Sequence, residues 1–322
     1  MKRILFITKG THAPSSRYRA LDYFELFKTN NWTAVHLTDD RSIYGRFSIF
    51  REVLRADYVV IVRRTLSWWL LKTMRLFAKQ LIFDFDDAIF QKSDGSPSPT
   101  RFRRFSAITQ CVDQVWAGNS YLAVKAGEFC DKVTILPTSI SESKYNLSAS
   151  KPENTIDLVW IGSSSTRKHI EPMIPMFEGL VGKIPNLRLK IISDFDLESE
   201  VLPIINVQWS AETEATEIAS AHIGVAPLPD NDFTKGKCGL KVLQYMASGL
   251  PVVSSPVGVN QDMVSHGVSG FLANSQEDWS EAIGKLACDQ TLRESMGQAG
   301  KHLFQSSFTL QATFQKMIAT LE

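Results

Sequence analysis

Short apolar runs rich in β-branched residues alternate along this chain with segments of helical spacing, and few folds satisfy that alternation. RILFIT (3–8), TAVHLT (33–38), DYVVIVR (57–63), QLIFDFDD (80–87), QVWAGN (114–119) and KVTILPT (132–138) read as six strands. Helical spacing separates them, as in RYRALDYFELFKTN (17–30) and LSWWLLKTMRLFAK (66–79). Strands that alternate with helices build βαβ units and a parallel sheet. The polar stretch SISESKYNLSASKPENT (139–155) breaks the pattern and reads as a linker. The alternation then restarts with IDLVWIG (156–162), LRLKIIS (187–193), INVQW (205–209), HIGVAPL (222–228), LPVVSSP (250–256) and GFLA (270–273), followed by helical stretches at 277–288 and 309–321. The expectation is two doubly wound α/β halves: a first domain over 1–150, a second over 151–308, and a C-terminal helix within 309–322 that crosses back to the first. Ligands of such sheets bind outside the carboxyl ends of the strands, so two facing halves imply a cleft.

Charge is divided unequally. Residues 1–150 hold 22 Lys and Arg against 14 Asp and Glu, and the remainder holds 13 against 20, a balance of +8 joined to one of −7. A basic half beside an acidic half implies different partners. The cations of the basic half are scattered and its aromatics sit in apolar runs, which argues against nucleic acid and for a phosphorylated or membrane-surface acceptor. Cys111, Cys130, Cys238 and Cys288 form no CxxC and fit no zinc spacing, as expected of buried, reduced thiols in a cytoplasmic protein. The apolar run of MKRILFIT is too short for a signal peptide, and nothing approaches the roughly 20 apolar residues of a membrane span. The expected location is the cytoplasm, with peripheral contact at the inner face of an anionic membrane. Helix 66–79 supports that contact through Trp68 and Trp69, although a helix packed on its sheet by Trp69, Leu70, Thr73 and Phe77 explains the same pattern.

GKCGLKVLQYMASGLPVVSS (236–255) carries the clearest chemical signal. A helix beginning near Gly239 places Leu240, Leu243 and Met246 on one face, and Gly249 followed by Pro251 ends it. A helix start offers free N–H groups and positive dipole, glycine lets a phosphate approach, and Lys235, Lys237 and Lys241 add cations. An ordinary glycine-initiated helix with solvated lysines is the alternative.

GLKVLQYMASGLPVVSSPVGVNQDMVSHGVSGFL (239–272) resembles the donor-nucleotide signature of the retaining glycosyltransferase family 4, the glycosyl transferases group 1, which have the GT-B fold of two facing Rossmann-like domains. DLVWIGSSSTRKHIEPM (157–173) resembles the element that opens the second domain of that family, and 278–309 its C-terminal helices. The resemblance implies a hexosyltransferase-type enzyme, active in polysaccharide biosynthesis. It would move a sugar, with retention and without a metal or other cofactor, from a nucleotide-diphosphate donor to a hydroxyl of a glycan or lipid-linked acceptor. The implied donor residues are Gly162, Ser163, Lys168, Trp209, Lys237, Gly239, Leu240, Lys241 and Gln244, with Ser210, Pro227, Leu228 and Asp230–Phe233 beside the same pocket. Lys168 and Lys241, with the N–H groups of Gly239 and Leu240, would stabilise the departing diphosphate. The family carries two glutamates eight positions apart where this chain has Gly236 and Gln244, and an arginine where it has Ser163. The GKC…K..QYMA form resembles a subgroup of the family.

FDFDDAIF (83–90) places Asp84, Asp86 and Asp87 at a strand end. Three readings stay open: orientation or deprotonation of an acceptor hydroxyl by Asp86 or Asp87, a DxD metal site, and helix capping by solvated carboxylates. TKGTHAPSSRYR (8–19) follows the first strand, where Gly10, Arg17 and Arg19 are candidates for an acceptor or phosphate, and His12 shares the position. Two rivals accompany the glycosyltransferase reading: a sugar-nucleotide epimerase of the same fold, and a non-catalytic nucleotide-sugar- or glycan-binding partner protein, which the two replaced glutamates suit.

Overall fold

The computed structural model describes residues 1–11, 13–39 and 42–322, so His12 lies outside the described residues. Each expected strand is present. The first sheet contains β1 (Arg3–Thr8), β2 (Thr33–Thr38), β3 (Tyr58–Val62), β4 (Gln80–Phe85), β5 (Gln114–Ala117) and β6 (Val133–Ile135) in the order β2-β1-β3-β4-β5-β6, all parallel. The second contains β7 (Ile156–Ile161), β8 (Leu187–Ser193), β9 (Ile204–Gln208), β10 (Ile223–Ala226), β11 (Val252–Ser254) and β12 (Gly270–Leu272) in the order β12-β11-β10-β7-β8-β9, also parallel. The strand order reverses between β1 and β3 in one sheet and between β7 and β10 in the other. Those switch points fix where a crevice opens at the carboxyl edge of each sheet.

The central runs are mostly apolar because both faces of each sheet are covered there, whereas the edge strands β2 and β9 are only partly buried. In the first sheet, Leu5, Ile7, Val59 and Ile61 point into one core, and Ile4, Phe6, Val60 and Val62 into another on the opposite face. The helices of this part are α1 (Pro14–Arg19), α2 (Phe24–Thr29), α3 (Ile43–Val53), α4 (Trp68–Phe77), α5 (Pro99–Cys111) and α6 (Ser120–Gly127). The helical stretch read at 17–30 is broken: α1 ends at Arg19, a 3-10 turn spans Leu21–Tyr23, and α2 follows. Of the residues expected on the packed face of α4, Trp69 is 82% exposed, and Leu71 and Met74 are buried instead.

The second half carries α7 (Glu142–Tyr145), α8 (Arg167–Ile170), α9 (Ile174–Glu178) and α10 (Glu214–Ala219), then α11 (Asp232–Lys235) and α12 (Leu240–Ala247). It closes with α13 (Val259–Met263), α14 (Gln276–Cys288), α15 (Gln290–Ser307) and α16 (Leu310–Ala319). The chain forms two compact units. One comprises Met1–Ile140, Asn231–Cys238 and Leu310–Glu322, the other Ser141–Asp230 and Gly239–Thr309. The segment read as a linker at 139–155 is in part structured, because Ser139 is buried, and Tyr145 on α7 is buried in the second unit. In the first unit, α16 packs Phe314 and Met317, and the tail after it Leu321, into the core that holds Phe6 and Trp116, and Phe314 meets Phe27 edge-on at 5.0 Å. All four cysteines are free thiols. Cys111 alone is buried and Cys288, at the end of α14, is exposed, which departs from the expectation of buried thiols. No helix among the described residues is long and apolar enough to cross a membrane.

Two stability predictions follow from this packing. Phe314→Ala removes a fully buried ring and should cost about 3–5 kcal/mol in denaturant unfolding. His222 is buried, its Nδ1 accepts the Asp157 N–H at 3.0 Å, and burial pushes its pKa down from 6.5 to about 4. It is neutral when folded and protonates more readily when unfolded, so its contribution is complete above pH 6.5 and falls on acidification toward pH 4. Unfolding free energy measured across that window should drop less in His222→Gln than in the parent chain.

Candidate active site

The sequence DFDD places three carboxylates at the end of β4, and the structure gives them different tasks. Asp84 is buried and receives a bidentate contact from Arg19, with Arg19 Nε at 3.0 Å from Oδ2. Arg19 Nη1 also donates to the Leu136 carbonyl at 2.7 Å. Arg19 is therefore a buried structural cation that ties α1 to β4 and to the end of β6, and it is not placed to take an acceptor as expected. Asp86 and Asp87 point instead toward Arg63, just past β3. Arg63 Nε lies 3.3 Å from Asp86 Oδ1, and Arg63 Nη2 lies 2.9 Å from Asp87 Oδ2. The carboxyl of Asp87 is the more accessible of the two, at 14% against 6%.

Sequence reading did not single out Arg63. It has a backbone φ of 52°, a conformation uncommon for a residue with a Cβ, and its N–H bonds the Asp84 carbonyl at 2.8 Å. Burial works against its charge, yet Asp86 and Asp87 more than offset this, and its pKa moves up. The double arginine directly after a strand, in DYVVIVRR, was the available signal.

Asn231–Cys238 completes this cluster within the first unit. Asn119, the N-cap of α6, accepts the Leu122 N–H at 2.8 Å and donates to the carbonyls of Lys235 and Lys237 at 3.1 and 3.0 Å. Lys237 Nζ then sits 3.6 Å from Asp87 Oδ2 and 4.3 Å from the Phe233 ring centroid. Lys237 is thus engaged with a carboxylate of the first unit, and Phe233 packs on that unit's core. Gly236 is required sterically, since a Cβ there would lie 2.7 Å from Ala88 Cβ and 2.8 Å from Ala88 N. No side chain fits where the resembling family has a glutamate.

The second unit brings most of the remaining candidates to the carboxyl ends of β7 and β10. Gly239 has φ 68° and caps α12, and an added Cβ would meet Met263 Sδ at 2.7 Å and Val259 Cγ1 at 2.9 Å. The helix starts at Leu240, as the sequence suggested. Its first N–H groups have no partner within the helix and carry the positive end of its dipole. Lys241 on that first turn holds its ammonium 5.1 Å from the ring centroid of Trp160 on β7. Gly162, just beyond β7, lies against the same ring. Ser163 caps the following turn reciprocally with Thr166, and the Ser164 N–H donates to Asp194 at 2.6 Å. Lys168 is exposed on α8. Glycine backbone, a capped turn, a helix start and Lys241 therefore converge at the switch point, an arrangement suited to a polyanion.

Gln244 and Trp209 meet differently. Gln244 is buried and its Nε2 donates to Tyr145 Oη at 2.9 Å. Tyr145 Oη donates to Glu214 Oε1 at 2.9 Å, and Trp209 Nε1 donates to Glu214 Oε2 at 2.8 Å. Gln244 therefore faces inward, toward α7. Neither Tyr145, which lies in the stretch read as a linker, nor Glu214 stands out in the local sequence pattern. On the first-unit side, the Gly10 N–H donates to Thr8 Oγ1 at 3.1 Å, and Arg17 stacks on the Tyr18 ring at 4.3 Å. Among the described residues no three His, Cys, Asp or Glu side chains are grouped to hold a metal.

The whole chain overlays sucrose-phosphate synthase from Thermosynechococcus elongatus with a TM-score of 0.76 at 15% identity, covering 98% of it. It overlays Anabaena HepE, solved in complex with UDP and glucose, with a TM-score of 0.70 at 12% identity over 99% of that chain. The fold is GT-B. Within this GT-B chain, residues 155–289 match the family model described as Glycosyl transferases group 1. The Arabidopsis thaliana sulfoquinovosyl transferase SQD2 is 26% identical over 170 residues, 50% of this chain and 32% of that protein. A D-inositol 3-phosphate glycosyltransferase of Corynebacterium jeikeium is 38% identical over 82 residues, 24% of this chain and 19% of that protein. The match thus spans a third or less of these curated relatives.

Gly236→Ala tests the steric reading of the first cluster. It should destabilise the chain by about 1–3 kcal/mol in urea unfolding. Lys237→Ala, which removes a partly exposed cation, should change stability far less.

Proposed function

We propose that the chain is a glycosyltransferase that moves a sugar from a nucleotide-diphosphate donor to a hydroxyl of a glycan or lipid-linked acceptor, with retention of anomeric configuration. The observation that carries this reading is the start of α12, with Gly239 in the left-handed region and Lys241 on the first turn, inside the stretch that matches the glycosyl transferases group 1 model. A relative of the same fold, Anabaena HepE, has been solved with UDP-glucose, which supports a nucleotide sugar as donor.

The chemistry asks for stabilisation of negative charge. As the bond between sugar C1 and the diphosphate oxygen breaks, charge grows on the diphosphate, and preorganised donors lower that barrier. In this reading the N–H groups at Gly239 and Leu240 and the ammonium of Lys241 supply them, with Lys168 as a further cation. Retention rests on the family resemblance, in which the leaving phosphate takes the acceptor's proton. In the first unit, Asp87 is the acceptor-orienting group, since its carboxyl is the more accessible and Arg63 holds it in place. Arg17 and Gly10 are the further acceptor candidates, and peripheral contact with an anionic membrane belongs to the same reading. The buried Gln244 is a positioning residue acting through Tyr145 on Glu214 and Trp209.

A thermal-shift titration with UDP tests the donor half. UDP at one hundred times its Kd should stabilise the fold by about 2.7 kcal/mol, and Lys241→Ala should weaken binding about tenfold or more. Affinity unchanged in Lys241→Ala would remove that lysine from the site. Asp87→Asn should lower kcat for sugar transfer while leaving UDP affinity unchanged. A second reading, a non-catalytic nucleotide-sugar-binding partner, is favoured by the steric exclusion of any side chain at 236 and the burial of Gln244. It requires donor binding without transfer to any acceptor.

A further inference from the structure

A cavity of about 830 Å³ opens at the amino edge of the second sheet, and all of its walls belong to the second unit. His222 directly precedes β10, Pro251 directly precedes β11, and both line it. The start of α12 lies at the opposite, carboxyl edge, and the 4 residues of β10 hold the two edges roughly 13 Å apart. The stretch 146–153 forms one wall and α15 another. Two contacts fix this frame. A Cβ on Gly297 of α15 would collide with the Gly249 carbonyl, so the helix seats directly on the turn that ends α12. His222 Nδ1 accepts the Asp157 N–H at 3.0 Å and the ring also bonds the backbone of Pro152, which ties the wall 146–153 to the sheet.

The lining concentrates cations in a half of the chain that is poor in them. Residues 151–322 hold 13 Lys and Arg against 20 Asp and Glu, and three of those cations, Lys151, Arg293 and Lys301, line this cavity. Arg167, Arg188, Lys190 and Lys285 pair with carboxylates, whereas none of the three lining cations forms an ion pair among the described residues. Lys301 Nζ donates to Asn146 Oδ1 at 2.8 Å and bridges the two walls. Arg293 Nη1 donates to the carbonyls of Leu286 and Ala287 at 2.7 and 2.9 Å, which fixes the guanidinium and leaves Nε and Nη2 without a partner among the described residues. Lys151 makes no hydrogen bond among them. Water reaches Lys151, yet the surrounding walls and the neighbouring Arg293 lower its pKa, and an anion between the two cations would offset their repulsion. Ser248 Oγ, just after α12, is buried against the cavity without a partner. Glu153 and Glu294 also line the cavity, and Gln290 Nε2 donates to Glu294 Oε1 at 2.8 Å, which leaves Oε2 to accept. Unused cationic donors beside carboxylates, an amide at Gln298 and an unpaired hydroxyl suit a ligand that is anionic at one end and rich in hydroxyls at the other.

We propose that this cavity binds a small phosphate monoester of a polyol, as a second ligand site on the edge of the sheet opposite the donor. Lys151 and Arg293 take the phosphate, and Ser248, Gln298 and Glu294 take the hydroxyls. The site shares no residue with the donor site, so either reading can fail alone. The test is isothermal titration calorimetry of the full chain with ribose 5-phosphate, with UDP present in excess to compete at the donor site. Ribose 5-phosphate should bind one to one, ribose should not bind, and inorganic phosphate should bind severalfold more weakly. Lys151→Glu should weaken ribose 5-phosphate about tenfold or more, and Lys241→Ala should leave its affinity unchanged. Lys151 is exposed, so the melting curve of Lys151→Glu should match the parent's. No binding, equal binding of ribose, or affinity unchanged in Lys151→Glu overturns the proposal. Equal affinity for inorganic phosphate overturns the assignment of a polyol. Binding lost in Lys241→Ala overturns the second site, because it assigns the phosphate to the start of α12.

Discussion

The hydroxyl of Tyr245 holds α12 against the second sheet. It accepts the Ile161 N–H of β7 at 3.1 Å and donates to the Val225 carbonyl of β10 at 3.3 Å, between the two strands where the order of the second sheet reverses. A side chain from α12 thus satisfies the backbone groups that the diverging strands leave open. Burial raises the pKa of this phenol, so it remains a neutral donor. With the helix pinned here, its first turn stays beside Trp160 and Gly162, and Lys241 is held at the carboxyl edge without depending on a surface loop. Gly249, in the left-handed region, ends the same helix and lets the chain turn into β11.

The first unit solves a different problem. Four charged groups, Arg63, Asp86, Asp87 and Lys237, are brought together by the ends of two strands and by a segment far away in sequence. Asn119 anchors that segment by its backbone carbonyls, and Gly236 permits its close approach to Ala88. The position that holds a glutamate in the resembling family is consumed here by packing.

The sheets were legible in the sequence because strands buried on both faces read as near-continuous apolar runs, as ILFI (4–7) and VVIV (59–62) do. The start of α12 was legible for a related reason, since Gly239 and the apolar spacing after it mark a single helix boundary. What stayed hidden depended on long-range pairing. Arg19 and Arg17 look alike in SSRYR, yet one is sealed against Asp84 and the other stacks on Tyr18. Tyr145 lies in a polar stretch whose composition reads as linker, and its partners stand 69 and 99 residues away. The assignment of Asn231–Cys238 to the first unit is likewise decided by Asn119 and Ala88, which no local pattern connects to it.

The central claim is that the first turn of α12 holds a nucleotide diphosphate. Hydrogen–deuterium exchange of the full chain with and without UDP tests it most directly, because it reports on the backbone N–H groups themselves. The account predicts slowed exchange in peptides covering Gly239–Leu243 and Gly162–Thr166, lost in Lys241→Ala at the same UDP concentration. Unchanged exchange in those peptides under conditions where UDP is bound would contradict it.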